Sequence, residues 1–260
     1  MDDPAPESSP PEAAQAPAGA ANESGSVLEG RAREAGGRLA QRHDLGPPTR
    51  GALALYAVVR GAVAGFCRVF WRLDISGADH LPRDTPFILA PVHRSNIDTL
   101  LVAAITRRRM RYMGKATLWK YRWFGWLITA LGAFPVRRGS ADREALRICQ
   151  EVLENGEPLV VFPEGTRQVG PLVEKVFDGP AYLAAKMDVP LIPVGIGGSE
   201  RAMPKGSKLL RPVRTVVIVG EPMRAEPSAT GRVTRSSVRR LSERLLSEVQ
   251  RLFDEAQAAA

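Results

Sequence analysis

Cysteine and histidine are scarce in this 260-residue chain, which limits the chemistry that the sequence can carry. The only two cysteines, Cys67 and Cys149, lie in different predicted elements and show no metal-binding spacing. This favours reduced thiols in the core or at an interface of a cytoplasmic protein. The three histidines are His43, His80 and His93. A disulfide-stabilised scaffold and a cysteine-based metal centre are therefore not expected.

Long apolar runs are also missing, and the pattern at the N-terminus is not the one expected of a secretory signal. No 18 uninterrupted apolar residues occur, since Arg60 and Arg68 interrupt the best candidate, and a full transmembrane span is not expected. The N-terminus lacks a basic segment followed by an apolar one, which argues against a secretory signal. Residues 1–30 contain no Lys or Arg and carry a charge of −6, which leaves +14 on the rest of the chain. Such a basic body is typical of proteins that bind anionic partners.

Composition divides the chain into three parts: an acidic tail (1–48), an apolar segment (49–75) and a domain (76–260). The tail is rich in Pro, Ala, Gly and Ser, which predicts disorder with at most a short helix. In the apolar segment, Arg60, Arg68 and Arg72 are spaced along a broad apolar surface. This favours an interfacial helix with its arginines at lipid phosphates. A first helix buried against the domain is the alternative.

From residue 73 onward, short apolar runs typical of strands alternate with helical spacings. The C-terminal stretch 236–257 is the clearest amphipathic helix, with Ser236 or Ser237 expected as N-cap. The alternation predicts an α/β fold: a mixed, largely parallel sheet flanked by helices, with an N-terminal interfacial helical segment. The main predicted elements are strands in 86–92, 158–165, 190–198 and 214–222, and helices at 96–108, 145–157 and 236–257.

The stretch "PVHRSNIDTL" sets His93 just after a predicted strand and Asp98 in the first turn of a predicted helix. The carboxyl ends of strands in open α/β sheets are where ligands bind. One interpretation is that Asp98 has only a structural role, because the helix dipole stabilises a carboxylate in the first turn of a helix. Alternatively, it accepts a hydrogen bond from one imidazole nitrogen and leaves the other free as a general base.

The stretch "PLVVFPEGTR" runs another strand into a tight turn at Glu164–Gly165. Gly165 permits close backbone approach, and Arg167 is suited to bidentate phosphate binding. Pairing of Glu164 with Arg167 is the simpler alternative. With Arg137 after a further apolar run, two basic strand ends predict one anion held at the edge of the sheet.

Taken in order, four blocks between about 76 and 197 resemble the PlsC-type glycerolipid acyltransferases, in particular the 1-acylglycerol-3-phosphate acyltransferases. The first is the His-x4-Asp block of His93 and Asp98. The second is "LGAFPVRRG", the third is "VVFPEGTR", and the fourth is the proline-bearing "VPLIPVGI". Four blocks in order are far more specific than any one of them.

The resemblance implies that His93 is the general base and that Asp98 orients it. It implies acyl transfer to the free hydroxyl of lysophosphatidic acid, giving phosphatidic acid in phospholipid biosynthesis. Acyl-CoA or acyl carrier protein is the donor, and no metal or other cofactor is involved. Glycerol 3-phosphate or another lysophospholipid is the alternative acceptor. The phosphate-binding residues are then Arg137, Glu164, Gly165, Thr166 and Arg167, with Lys115 added, and Pro193 shapes the acyl side.

The basic stretch 107–132 contains three of the four tryptophans, Trp119, Trp123 and Trp126. Nucleic-acid binding by stacking and phosphate contacts is one interpretation. We favour a membrane surface with anionic lipids, and no nucleic acid, because Trp and Tyr prefer the headgroup region. The third interpretation is that some of the tryptophans are buried in the core. The expected location is peripheral, on the cytoplasmic face of the cell membrane. A non-catalytic basic membrane binder is the competing class of function.

Overall fold

In a computed structural model, the chain is described over residues 49–136, 143–226 and 233–260. The acidic tail, the short helix considered within it, and Arg137 lie outside these residues. Seven strands form one sheet: β1 (Asp74–Ser76), β2 (Ile88–Pro91), β3 (Arg111–Lys115), β4 (Ala133–Val136), β5 (Leu159–Val160), β6 (Leu191–Gly197) and β7 (Val216–Val219).

The sheet has the order β1-β7-β6-β2-β5-β3-β4. All neighbouring strands are parallel except β6 and β7, which pair antiparallel. The central strands β2 and β6 are buried along their whole length, as their continuous apolar sequences require in a sheet covered on both faces. The prediction of a mixed, largely parallel α/β fold is confirmed.

The helices are α1 (Arg50–Phe70), α2 (Asp98–Ile105), α3 (Arg122–Ala130), α4 (Arg143–Glu154), α5 (Gly179–Met187), α6 (Ser199–Ala202) and α7 (Arg235–Ala259). Helix α1 packs on α2 and α3, whereas α5 packs on α4 and α7. The connections through α2 and α3 run in one direction across the sheet, and those through α4 and α5 run in the other. Because crossovers between parallel strands are right-handed, the two pairs of helices, and α1 and α7 that pack on them, belong to opposite faces of the sheet. Gly195 lets α7 lie directly on β6, since a side chain there would overlap the Leu252 carbonyl.

The start of α7 corrects one prediction. Thr234, rather than Ser236 or Ser237, is the N-cap, and its hydroxyl accepts a hydrogen bond from the Ser237 N–H at 3.1 Å. The Ser237 hydroxyl lies 3.3 Å from the Thr234 N–H, which completes a capping box. Ser237 therefore occupies the reciprocal position of the cap, three residues into the helix.

Helix α1 is buried against the domain on one face and exposed on another. Tyr56, Ala64 and Cys67 are buried against the domain, while Val58 and Val69 on another face are exposed. By length and mean hydropathy (1.6), this helix would be able to cross a membrane, yet the Arg60 guanidinium faces the protein. It donates to the carbonyls of Ala103 and Ala104 at 3.3 and 2.9 Å. The expected contact of Arg60 with lipid phosphate is therefore replaced by a contact with the last turn of α2.

The tryptophans of 107–132 are divided between core and surface. Trp119 is buried, and its indole N–H donates to the Thr129 hydroxyl at 2.9 Å. Trp123 and Trp126 on α3 are exposed, and so is Tyr121. Helix α3 contacts α1, so Trp123 and Trp126 are exposed on a helix that packs against α1.

Candidate functional site

His93 lies two residues beyond the end of β2, at the carboxyl edge that β2 shares with the parallel strands β5 and β6. A short turn follows, and α2 begins at Asp98, two residues later than the predicted start, and ends at Ile105. This turn is buried, since His93, Arg94, Ser95 and Asp98 all have 8% exposure or less.

The imidazole of His93 contacts the carboxylate of Asp98, with 3.0 Å between Nδ1 and Oδ2. A carboxylate only accepts hydrogen bonds, so Nδ1 carries the proton and Nε2 is left as the basic nitrogen. The same Oδ2 accepts from the N–H groups of Arg94 and Ser95 at 2.7 and 2.6 Å. Asp98 thus does both things considered from the sequence: it occupies the first turn of a helix and it orients the imidazole.

The ring of Phe162 packs against the face of the His93 imidazole and so restricts its orientation. The two rings are stacked with centroids 3.9 Å apart and an angle of 24° between planes. Phe162 directly precedes the Pro163–Glu164 turn, so the two sequence motifs meet at His93. Within the described residues, no hydrogen bond engages Nε2.

Glu164 pairs with Arg94, not with Arg167. Its carboxylate accepts from the Arg94 Nη1 at 2.8 and 2.6 Å, and also from the His93 N–H at 2.8 Å. Glu164 is 4% exposed. With both oxygens engaged by protein donors, Glu164 supports the His93 turn, and this geometry argues against the direct phosphate contact expected from the sequence.

Arg94 is the site residue that the sequence analysis missed. It is fully buried, and its remaining N–H groups donate to the carbonyls of Gly170 and Leu172 at 3.1 and 2.9 Å. Its guanidinium also lies 4.8 Å above the centre of the Phe253 ring of α7. Arg94 therefore joins the His93 turn, the loop after β5 and the last helix. Its one sequence signal is a basic residue directly beside the histidine, at the end of a buried strand.

A cleft of about 1430 Å³ opens beside His93. Its walls come from the strand ends, the loop after β5, α4, α5 and the start of α7, and they are mainly apolar. The residues that line it include Met113, Val136, Leu146, Phe162, Phe177, Tyr182 and Val238. The imidazole of His93 thus borders a space large enough for a substrate with a hydrocarbon chain.

The predicted anion-binding residues are partly gathered at this cleft. Glu164, Gly165 and Thr166 line it, and Gly165 has the positive φ (70°) that its turn requires. Lys115 is exposed at the end of β3, and Arg167 is half-buried. Neither Arg167 nor Lys115 is among the described residues that line the cleft. Lys175, by contrast, does line it.

Pro193 is buried in the middle of β6, where it pairs with Ala90. It lies outside the set of described residues that line the cleft. Its carbonyl accepts from the Gly220 N–H at 2.9 Å. Its position in this structure is that of a strand residue inside the sheet rather than a wall of the acyl side.

Stabilising an oxyanion beside His93 would need free hydrogen-bond donors, and the nearest backbone N–H groups lie in the turn before α2. Those of Arg94 and Ser95 are directed at Asp98, and that of Ile97 lies 3.4 Å from the Ser95 hydroxyl. These donors are therefore engaged within the turn. No cluster of His, Cys, Asp or Glu suited to a metal ion occurs among residues 49–136, 143–226 and 233–260.

Comparison with known proteins shows what this chain is similar to. Residues 72–197, just under half of the chain, match the family described as Acyltransferase. A solved structure of the 1-acyl-sn-glycerophosphate acyltransferase PlsC from Thermotoga maritima has the same fold, with a TM-score of 0.62, 23% identity and 88% of each chain covered. All the residues that the sequence marks as a site lie within the matched region.

Curated relatives carry the same kind of name. The chloroplastic 1-acyl-sn-glycerol-3-phosphate acyltransferase of Brassica napus is 29% identical over 146 residues, which is 54% of this chain and 41% of that protein. The enzyme of that name from Bacillus subtilis is 28% identical over 152 residues, or 58% of this chain and 73% of that protein. The chain thus spans about two fifths of the plant relative and most of the bacterial one.

Proposed function

We propose that the protein is a 1-acyl-sn-glycerol-3-phosphate O-acyltransferase. It transfers an acyl group from acyl-CoA or acyl carrier protein to the free hydroxyl of lysophosphatidic acid, giving phosphatidic acid. The observation that carries this proposal is the buried pair of His93 and Asp98, 3.0 Å apart, with His93 in the wall of a mainly apolar cleft. The names of the relatives support the choice of acceptor.

In the proposed reaction, Nε2 of His93 takes the proton of the lysolipid hydroxyl as its oxygen attacks the thioester carbonyl. The new C–O bond forms, the C–S bond breaks, and the imidazolium returns its proton to the leaving thiolate. Asp98 holds the imidazole and stabilises its positive charge. Positioning of the two bound substrates supplies much of the rate gain.

The phosphate of the acceptor is proposed to bind beside the turn at Gly165 and Thr166. Arg167, Lys115 and Arg137 supply the positive charge, because guanidinium and ammonium groups form charge-assisted hydrogen bonds with phosphate. Lys175 in the cleft wall is a further candidate. Glu164 acts through the His93 turn.

A membrane surface with anionic lipids is the proposed source of the lysolipid, on the cytoplasmic face of the cell membrane. The exposed apolar side of α1 and the exposed aromatic residues of α3, Trp123 and Trp126, support this location. Trp side chains favour the headgroup region, and the many Lys and Arg side chains attract anionic lipid.

The test is transfer from a labelled acyl-CoA with lysophosphatidic acid and glycerol 3-phosphate offered side by side, and with His93→Ala as the control. Product from lysophosphatidic acid alone, lost in the variant, is the expected result. Product from glycerol 3-phosphate instead would move the acceptor and leave the chemistry in place. A His93→Ala variant with full activity would contradict the mechanism.

A further inference from the structure

A loop at the carboxyl edge of the sheet, residues 203–210, has features that the proposed reaction does not use. It leaves the end of α6, which directly follows β6, and returns towards β7. The Arg211 N–H donates to the Ala202 carbonyl at 2.9 Å and closes its base. We call residues 203–210 the 203–210 loop.

This loop is attached to the catalytic turn. The Ser95 hydroxyl donates to the Met203 carbonyl at 2.7 Å, and Ser95 is two residues from His93. The loop therefore lies beside the turn that carries His93, at the carboxyl edge of the sheet.

The tip of the loop exposes two leucines to solvent. Leu209 is 65% exposed and Leu210 is 40% exposed. The tip is nevertheless folded, because the Leu209 N–H donates to the Ser207 hydroxyl at 3.0 Å and the Ser207 N–H donates to the Pro204 carbonyl at 3.0 Å. Two adjacent exposed leucines on an ordered loop form a small apolar surface that is available to an apolar phase or a partner.

The charges around the leucines have one sign. Residues 201–214 contain five basic side chains and no acidic one. Lys205, Lys208 and Arg211 are exposed. Arg211, at the base of the loop, contacts Trp71, the residue after α1, because the Trp71 indole donates to the Arg211 carbonyl at 3.1 Å. Phe66 of α1 packs on Trp71 with ring centroids 5.1 Å apart, so the base of the loop lies at the C-terminal end of α1.

We infer that the 203–210 loop is a second membrane-binding element, which inserts Leu209 and Leu210 below the headgroups of an anionic bilayer. Lys205 and Lys208 then lie at the level of the lipid phosphates, where each basic side chain adds to the affinity. Insertion here brings the bilayer surface to the edge that holds His93. The binding follows from the chemistry of the loop, whereas its purpose, delivery of the lysolipid, rests on the proposed function.

The first test is co-sedimentation of the full chain with vesicles of phosphatidylcholine mixed with phosphatidylglycerol. We expect Lys205→Glu/Lys208→Glu, and separately Leu209→Ser/Leu210→Ser, to lower the partition coefficient by about tenfold. The matched control is Arg244→Glu/Arg251→Glu, which makes the same charge change on α7, on the opposite face of the sheet from α1. Unchanged partition of both loop variants, or an equal loss in the α7 control, would overturn the inference.

A second assay distinguishes membrane binding from chemistry. We expect the loop variants to transfer acyl groups to a short-chain, water-soluble lysophosphatidic acid at the wild-type rate and to a vesicle-borne one more slowly. Equal losses with both acceptors would place the loop in the active site and overturn the inference. If no acyl transfer occurs with the wild type, the proposed function fails, and the vesicle measurement still decides the role of the loop.

Discussion

The imidazole of His93 and the carboxylate of Asp98 lie 3.0 Å apart, and the same carboxylate oxygen also closes the turn between them. It does so by accepting the N–H groups of Arg94 and Ser95. The other oxygen, Oδ1, is buried and has no partner among the described residues. One side chain therefore fixes both the tautomer of the base and the backbone that carries it.

Asp98→Asn tests this double role. The amide keeps one oxygen acceptor but loses the negative charge that stabilises the imidazolium. We expect transfer to lysophosphatidic acid to fall by about 10²-fold or more in kcat, with little change in KM. Steady-state kinetics with labelled acyl-CoA measures both constants. A variant in which only KM rises would show that Asp98 acts in substrate binding instead.

Arg167→Gln and Lys115→Gln test the proposed phosphate contacts. Each variant removes a positive charge without shortening the side chain greatly. We expect KM for lysophosphatidic acid to rise about tenfold, while kcat stays close to the wild-type value, because phosphate binding is made equally in ground and transition states. Lys186→Gln on α5, an exposed lysine that contacts Gln150, is the matched control and should change neither constant. An unchanged KM in both test variants would contradict the assignment.

The sequence predicted that the strands before His93 and Glu164 end at the same edge of the sheet, because strands can be recognised from the local pattern of apolar residues. A buried apolar run before His93 and another before Glu164 read as central parallel strands, and parallel strands end at one edge. The fold class followed from the same alternation of strands and helices. The sequence analysis placed the start of α2 two residues too early. Asp98 holds the preceding residues in a turn by accepting backbone N–H groups, and such contacts do not show in the spacing of apolar residues.

The partners of the charged side chains could not be predicted from the sequence. Glu164 had Arg167 three residues away, yet its partner is Arg94, 70 residues distant. Arg60 was equally suited to a lipid phosphate and to the carbonyls of α2, since both are acceptors. Such choices depend on distances that only the folded chain defines.

Gly165→Ala should disturb the site through two effects. The residue has φ of 70°, and an added Cβ would lie 2.8 Å from the Phe177 ring. Gly156→Ala is the control, since Gly156 has φ of 74° with no atom within 4 Å of the added Cβ. We expect each variant to lower the free energy of unfolding by about 1 kcal/mol, because alanine disfavours the left-handed backbone conformation. Only Gly165→Ala should also raise KM for lysophosphatidic acid, and identical behaviour of the two variants would contradict this.

The two thiols should be inert in the native protein. Burial raises the pKa of Cys67 to about 11 and that of Cys149 to about 12. The reactive thiolate is therefore almost absent near pH 8. We expect no alkylation by iodoacetamide in the native chain and alkylation of both cysteines in guanidinium, followed by mass spectrometry. Loss of acyl transfer on native treatment would contradict direct transfer and point to a thiol intermediate.

Arg94→Met tests whether the buried pair supports the His93 turn. The substitution leaves Glu164 charged and buried with one donor, the His93 N–H, among the partners seen here. We expect a loss of about 3–5 kcal/mol in the free energy of unfolding, as is typical when one partner of a buried ion pair is removed. Urea denaturation measures it. Arg147→Met on α4, which removes exposed ion pairs with Glu144 and Glu151, should leave the free energy of unfolding almost unchanged.

The double variant Arg94→Met/Glu164→Gln tests whether the ion pair contributes only to stability or also positions the His93 turn. Because it removes both charges, it should recover part of the lost stability, which a double-mutant cycle measures as a coupling between Arg94 and Glu164. Transfer activity should not recover in parallel, since the loop carbonyls of Gly170 and Leu172 still lack their donor and the His93 turn stays loosened. Full recovery of kcat would mean that the pair contributes stability alone and does not position the base.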